Sequence, residues 1–144
     1  MAAPVVWTVG HGASSFADIE RLLAVHDIQT IVDVRSAPVS RHATGFDKAD
    51  LEAACAAAGL HYRFMGSTLG GRMVPESQRA QDDALAELCG VALAARTVVL
   101  CAEAAPARCH RSTMLAPLLQ DAGFAVVHLL HDGSSLPHQP ELPL

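Results

Sequence analysis

Aromatic residues and lysines are scarce in this chain. Aromatics make up 4% of the 144 residues, and Lys48 is the only lysine among the ten basic residues. Proteins that bind single-stranded nucleic acid stack bases on aromatic side chains and attract phosphates with positive charge. This chain instead carries a formal net charge of -5. The composition therefore argues against general binding to nucleic acids or to anionic membranes.

The chain also lacks a long apolar run and a basic amino-terminal segment. Its apolar runs are too short to cross a bilayer, and the start MAAPVVWTVG lacks the basic region of a signal peptide. We therefore expect a cytoplasmic protein with no membrane segment. The 144 residues, 51% of them hydrophobic, suffice for one folded domain without metal or disulfide support. We predict a single α/β domain over residues 1–130 and a Pro-rich tail over residues 131–144.

We do not expect the four cysteines to form a disulfide framework like that of a small secreted protein. The sequence shows no export signal, and the predicted domain is large enough to fold without disulfides. Cys55 and Cys89 lie in Ala- and Leu-rich helical patterns and are interpreted as small core residues. Cys101 and Cys109 instead lie at the two ends of one turn. They are the candidates for chemistry.

Strand patterns alternate with helical patterns along the chain, which predicts a parallel sheet covered on both faces. The predicted strands are Val5–Val9, Thr30–Val34, His61–Met65, Thr97–Cys101 and Val126–Leu130. Two helices are predicted from Ser15 to His26 and over residues 48–58. A third begins at one of residues 76–78. A fourth begins at one of residues 109–112 and ends at Gly123, with Pro117 as a kink or a first-turn residue. The fold class is therefore α/β: a single three-layer Rossmann-like domain with a mostly parallel central sheet of about five strands flanked by helices.

Polar side chains follow each predicted strand, and in a parallel sheet these ends share one edge, where ligands bind. The sequence therefore predicts a shared cleft. The candidate catalytic residues are His11, Cys101, Glu103, Cys109 and His110. The candidate substrate- or anion-binding residues are Arg35, Ser36, Arg41, Gly70, Gly71, Arg72, Arg111 and Ser112. Supporting roles are assigned to Gly10, Asp33 and His128.

The turn between Cys101 and Ser112 carries the most reactive groups. A helix beginning near Cys109 would stabilise a thiolate there together with Arg111, so Cys109 is the better candidate nucleophile. Cys101 ends a buried strand and is equally interpreted as a packing residue. Neighbours on a helix do not face each other, so His11 or His128 is a better base for Cys109 than His110.

Simpler structural interpretations stay open at several of these positions. His11 is equally interpreted as an exposed or capping residue. A buried Asp33 needs a partner such as Arg35 or a loop amide. Seven residues separate Cys101 from Cys109, a spacing that does not match structural zinc sites, so no metal site is predicted. A disulfide between these two cysteines requires geometry that spacing does not provide. The sequence identifies no cofactor.

Four ordered blocks resemble the signatures of one family. TVGHG at 8–12, VDVRSAPVSR at 32–41, LGGR at 69–72 and CAEAAPARCHRS at 101–112 are similar to domain of unknown function 488, over about residues 8–129. The resemblance implies a small α/β protein with a suspected but unestablished enzymatic activity. Gly12 departs from the family's usual serine. A weaker likeness to rhodanese-like domains is an analogy only.

By that resemblance, the family's signature positions in this chain are Gly10, His11, Asp33, Arg35, Ser36, Pro38, Gly70, Gly71, Arg72, Cys101, Glu103, Cys109, His110, Arg111 and His128.

The leading hypothesis is a small cytosolic enzyme, a cysteine-dependent transferase or hydrolase, that acts on an anionic or nucleotide-like substrate. The first alternative is a non-catalytic module that senses an anion or nucleotide in the same pocket. The second is a metal-binding or nucleic-acid-processing protein. The cysteine spacing argues against the metal site, and the net charge and the few aromatic residues argue against nucleic-acid processing. The Ala-rich helices offer apolar surface either to the core or to a second copy of the chain, so the oligomeric state stays open.

Overall fold

The computed structural model describes residues 3–38, 45–70, 78–104 and 114–138. Its strands are β1 (Val5–Gly10), β2 (Thr30–Asp33), β3 (His61–Phe64), β4 (Thr97–Cys101), β5 (Ala125–Leu129) and β6 (Ser135–Pro137). Its helices are α1 (Phe16–Val25), α2 (Lys48–Ala58), α3 (Gly66–Leu69), α4 (Gln78–Ala94) and α5 (Ala116–Asp121). The short α3 was not predicted.

One sheet joins all six of these strands in the order β3-β2-β4-β1-β5-β6. The first five are parallel to their neighbours, and β6 pairs antiparallel with β5. With helices on both faces, this arrangement confirms the predicted three-layer Rossmann-like α/β class. The sixth strand comes from the segment predicted as a tail.

The two faces of the sheet are covered by different helices. From β1 the chain moves through β2 to β3 in one direction, whereas β3 leads through β4 to β5 in the other. Right-handed crossovers therefore place α1 and α2 on one face and α4 and α5 on the opposite face. The hydrophobic clusters support this placement of the helices. Leu23 of α1 and Leu51 of α2 cluster with Val9, whereas Leu88 of α4 and Leu119 of α5 cluster with Val6. We call these the α1–α2 face and the α4–α5 face.

The strand order also places a topological switch point between β1 and β4. These two strands are neighbours, yet the chain after β1 enters α1 on one face and the chain after β4 leads to α5 on the other. Beyond these carboxyl ends the chain therefore leads to opposite faces of the sheet. In open α/β sheets such a divergence creates the crevice in which ligands bind.

Local sequence accounts for several helix ends. Ser15 caps α1, because its side chain accepts a hydrogen bond from the Asp18 N–H at 3.2 Å. Gly59 ends α2 with a φ of 76°, a conformation in which glycine carries no Cβ penalty. Pro117 lies in the first turn of α5, where its missing N–H leaves no helix bond unmade. The start predicted for this helix, at residues 109–112, lies outside the described residues. Within the described part of the chain, no helix is both long and apolar enough to span a membrane.

Candidate functional site

The loops that follow β1 and β4 are joined by backbone hydrogen bonds at the switch point. The His11 N–H donates to the Cys101 carbonyl at 2.9 Å, and the Gly12 N–H donates to the Ala102 carbonyl at 2.9 Å. Gly12 has a φ of 54°, and a Cβ at this position would lie 3.0 Å from the Ala104 Cβ. A serine here would be strained and crowded, so the departure at Gly12 fits the observed loop.

His11 is buried at this edge with one ring nitrogen left without a partner. Its side chain stacks on Phe46, with ring centroids 4.7 Å apart. Its Nδ1 lies 2.8 Å from the Gly12 carbonyl oxygen, which can only accept, so Nδ1 carries the proton in the neutral ring. Among the described residues, no group hydrogen-bonds to its buried Nε2. That atom is therefore a buried acceptor with no described donor.

Burial also sets the protonation of His11. Loss of solvent lowers the pKa of His11 below its ordinary value of 6.5, and the positive charge of Arg35 acts in the same direction. The hydrogen bond to Gly12 and the negative charge of Asp33 oppose this shift without reversing it. At neutral pH the ring is therefore uncharged and can accept a proton at Nε2.

Asp33, at the end of β2, is fully buried and paired with Arg35. The Arg35 guanidinium donates to both carboxylate oxygens, from Nε at 2.9 Å and from Nη2 at 2.8 Å, and the Arg35 backbone N–H adds a bond at 3.1 Å. The Tyr62 hydroxyl donates to Asp33 at 2.6 Å. Burial and this bond to an anion raise the pKa of Tyr62 well above its ordinary value. The partner that the sequence suggested for Asp33 is the one observed.

Arg35 connects this ion pair to His11. Its Nη1 donates to the Phe46 carbonyl at 2.5 Å, and the Phe46 ring then stacks on His11. Three guanidinium N–H groups are thus used within the protein, and the charge is balanced by Asp33. The geometry gives Arg35 a supporting role at the site. Its binding of an external anion stays a prediction.

Cys101 and His11 lie on opposite faces of the sheet. Cys101 packs with Val99 on the α4–α5 face, whereas Phe46 places the His11 ring on the α1–α2 face. The Cys101 thiol donates to the Glu103 carbonyl at 3.5 Å, and the Glu103 side chain is exposed. The structure therefore does not bring Cys101 and His11 together as a thiol–imidazole pair.

Gly70 holds two loops together through close packing. A Cβ at Gly70 would lie 2.3 Å from the Ser36 Oγ, and one at Gly66 would lie 1.9 Å from the Arg35 carbonyl oxygen. The two glycines, four residues apart, thus let α3 sit against the loop that follows β2. In the described structure the group that approaches Gly70 closely is Ser36 of the protein itself.

His128 belongs to a chain of polar contacts beside β1. Its Nδ1 lies 2.5 Å from the Thr8 Oγ1 across the β1–β5 ladder, and its Nε2 lies 3.0 Å from the His138 Nδ1. Thr8 and His128 are both buried. His128 is thereby engaged with the segment that follows β6, which supports the fold next to the site.

The remaining predicted site residues lie outside the described residues, and their roles stay predictions: Arg41, Gly71, Arg72, Cys109, His110, Arg111 and Ser112. Within the described residues, no three His, Cys, Asp or Glu side chains come together as ligands for a metal ion.

A family model described as "Domain of unknown function DUF488" matches residues 15–76. This segment is similar to the DUF488 family. The match confirms the family predicted from the sequence. It contains Asp33, Arg35, Ser36 and Gly70, whereas the predicted blocks at 8–12 and 101–112 lie outside it. No curated protein and no solved structure matches the chain, and the likeness to rhodanese-like domains receives no support.

Three residues of the DUF488 segment contribute to the site without having been predicted. Phe46 stacks on His11, Tyr62 donates to Asp33, and Gly66 allows α3 to approach Arg35. Tyr62 had a sequence signal, because it is the only tyrosine of the chain and lies in the predicted strand His61–Met65. Phe46 lies thirteen residues beyond Asp33 in a connecting loop, where sequence periodicity carries no signal.

Proposed function

We propose that the protein is a small enzyme that acts on an anionic or nucleotide-like substrate at the carboxyl ends of β1 and β4. The observation that carries this proposal is the buried His11 Nε2, which has no hydrogen-bond partner among the described residues. Leaving a buried polar atom unsatisfied costs about 1–3 kcal/mol, so such an atom calls for an explanation. A substrate group that donates a proton to Nε2 supplies one.

In this proposal His11 acts as a general base. The Gly12 carbonyl and the stacked Phe46 ring hold the imidazole in one orientation, and burial keeps it neutral at pH 7. A base of this kind contributes about 10²–10⁴-fold to a reaction rate. The orientation of the ring is in turn supported by Arg35, which holds the Phe46 carbonyl.

The positive charge for an anionic substrate is assigned mainly to Arg41, Arg72 and Arg111. Arg35 is already neutralised by Asp33, which makes it a weaker source of attraction. The Cys101 thiol faces the other side of the sheet, and the proposal therefore favours Cys109 over Cys101 as the nucleophile.

The proposal is tested by comparing the wild-type protein with His11→Asn and with His61→Asn. In His11→Asn the side-chain amide N–H can still donate to the Gly12 carbonyl, but it offers no base where Nε2 was. His61 is exposed at the start of β3 and serves as the matched histidine control. Each protein is incubated with nucleoside mono-, di- and triphosphates and with p-nitrophenyl phosphate. Products are followed by mass spectrometry, and binding is followed by the shift in melting temperature.

We expect turnover of at least one of these compounds by the wild type and by His61→Asn, with a loss of about 100-fold in His11→Asn. Binding without turnover would favour the alternative, a sensor module for an anion or nucleotide. Equal turnover by His11→Asn and the wild type would overturn the role of His11. The absence of both binding and turnover would contradict the substrate class.

A further inference from the structure

A second polar pair lies at the same edge of the sheet. The Ser14 Oγ is 3.0 Å from the His131 Nδ1, although the two residues are separated by 117 positions in the sequence. His131 follows β5, and Ser14 precedes α1. The His131 Nε2 lies 2.5 Å from the Gly10 carbonyl oxygen at the end of β1. One imidazole thus connects a serine hydroxyl to a backbone carbonyl.

The Gly10 carbonyl determines how this imidazole is protonated. A carbonyl oxygen can only accept a hydrogen bond, so Nε2 must carry the proton and donate it. In the neutral ring Nδ1 then presents a lone pair, and the Ser14 hydroxyl donates to it. This is the arrangement of an activated serine: a nucleophile bonded to a base that a third group orients. Here the third group is a backbone carbonyl in place of a carboxylate.

The loop geometry holds both members in place. The Ser14 N–H donates to the His11 carbonyl at 2.9 Å, which closes a turn around Gly12. A Cβ at Gly12 would lie 3.3 Å from the His131 Cε1, so the imidazole sits directly against this turn. Ser14 is half-buried and His131 is exposed, and both can be reached from solvent.

We infer that Ser14 and His131 form a nucleophile–base pair that accepts an acyl group from an activated ester. The inference uses residues other than those of the proposed function and does not depend on it. Ser14 immediately precedes the Ser15 cap of α1, a helix of ten residues. The N–H groups of Phe16 and Ala17, in the first turn, have no intrahelical acceptor and are available for the oxygen of the attacked carbonyl.

The reaction balances with water as the only co-reactant. The Ser14 Oγ attacks the ester carbonyl carbon while its proton passes to the His131 Nδ1. The bond from that carbon to the alcohol oxygen breaks, and the departing oxygen takes the proton from His131. Water then attacks the acylated serine, with His131 removing and returning the proton. A carboxylic acid is released and Ser14 is regenerated.

The test is labelling by a fluorophosphonate, a reagent that traps activated serines. The Ser14 Oγ forms a bond to phosphorus, fluoride leaves, and the hydroxyl proton passes through His131 to water. The adduct is located by peptide mass spectrometry in the wild type, Ser14→Ala, His131→Ala and His131→Gln. Ser134→Ala is the matched control, because the Ser134 hydroxyl donates to Asp132 at 2.5 Å and has no described histidine partner.

We expect an adduct on Ser14 in the wild type and in Ser134→Ala, and none at that position in Ser14→Ala. Both His131 variants should react about 100-fold more slowly, and added imidazole should restore the rate in His131→Ala. A purely structural histidine would not be replaced by imidazole in solution. In His131→Gln the side-chain amide N–H can take the place of Nε2 and keep the bond to the Gly10 carbonyl, so this variant separates loss of the base from loss of the fold.

Hydrolysis of p-nitrophenyl acetate provides the second readout. Wild type is expected to release p-nitrophenol at least about tenfold faster than Ser14→Ala. The inference is overturned if the fluorophosphonate labels another serine instead, if His131→Gln reacts as fast as the wild type, or if Ser14→Ala hydrolyses the ester at the wild-type rate. Because no anionic substrate is present in either assay, these failures would leave the proposed function unaffected.

Discussion

Asp33 is the charge around which the carboxyl end of β2 is organised. It accepts hydrogen bonds from the backbone and guanidinium of Arg35 and from the Tyr62 hydroxyl, in a position with 0% exposure. A buried carboxylate needs such a set of donors, because desolvation costs several kcal/mol per ion. Removing this one charge would leave the buried Arg35 without its counterion.

We predict that Asp33→Asn lowers the free energy of unfolding by about 3 kcal/mol, as expected when a buried ion pair loses one partner. Urea denaturation measures this loss. Asp83→Asn is the matched control, since the Arg79–Asp83 pair is 3.9 Å apart with side chains 91% and 75% exposed. The control should change the free energy of unfolding by less than about 0.5 kcal/mol. Equal effects of the two variants would show that the buried pair is not structural.

His11 should make the stability of the protein depend on pH. Its pKa is lowered in the fold, chiefly by burial, so between that value and the ordinary 6.5 the unfolded chain binds more protons than the folded one. The contribution of His11 to the free energy of unfolding is therefore complete above pH 6.5 and is lost as the pH falls through the lowered pKa. We expect the melting temperature to drop below pH 6.5 and to drop less steeply in His11→Asn. Identical slopes for the two proteins would contradict this prediction.

The Cys55 thiol should be inert in the native protein. Burial, followed by the negative charges of Asp33, Glu20 and Glu52, raises the pKa of Cys55 to about 11. Only the thiolate reacts with iodoacetamide, so modification at about pH 8 should be much slower than in the urea-unfolded protein. Peptide mass spectrometry over a range of pH checks this directly. Equal native and unfolded rates at that pH would mean that Cys55 is not held in the core.

At the scale of elements, the short helix α3 depends on the absence of side chains. Gly66 and Gly70 bring its backbone against Arg35 and Ser36, at distances that no Cβ tolerates. Gly90 in α4 is the opposite case, because it is exposed and a Cβ there would meet nothing within 4 Å. The same substitution should therefore have opposite effects in the two helices.

We predict that Gly66→Ala destabilises the protein by about 2 kcal/mol or more through overpacking. Gly90→Ala should stabilise it by about 0.5–1 kcal/mol, because alanine is the better residue in an exposed helix interior. Thermal unfolding of the two variants and the wild type measures whether each substitution lowers or raises stability. A neutral Gly66→Ala would show that α3 does not lie as closely against the loop after β2 as the structure places it.

At the scale of the whole molecule, the two hydrophobic faces share one sheet, and the segment after residue 130 completes its edge. The His138 N–H donates to the Val126 carbonyl at 2.8 Å, and the His138 ring covers the buried His128. Removing residues 131–144 would take these contacts away and expose the edge of β5. The prediction that residues 1–130 form a domain can be tested in this way.

We expect a chain of residues 1–130 to unfold in one cooperative transition. Its free energy of unfolding should be lower by about 1–3 kcal/mol, because the buried His128 loses its contact with His138. Circular dichroism during urea denaturation measures both properties. A truncated chain with no cooperative transition would place the segment after residue 130 within the folding unit.

Several features of the fold could be predicted because they depend on local sequence. The apolar runs of β2 and β4 are buried on both faces and read as continuous hydrophobic strands. Ser15 and Gly59 mark helix ends through their own side-chain and backbone chemistry. The nearness of Arg35 to Asp33 also follows from two residues of separation at a strand end. None of these depends on distant parts of the chain.

The sequence by itself determined the α/β class, the places of the main strands and helices, and the DUF488 resemblance, because periodicity, capping and motifs act over a few residues. Only the tertiary structure decided that β1 lies beside β4, that Cys101 faces away from His11, and that Ser14 meets His131 across 117 positions. Strand order and side-chain neighbours arise from packing between distant segments. Many strand orders are compatible with the same local pattern, and the choice among them sets which side chains meet.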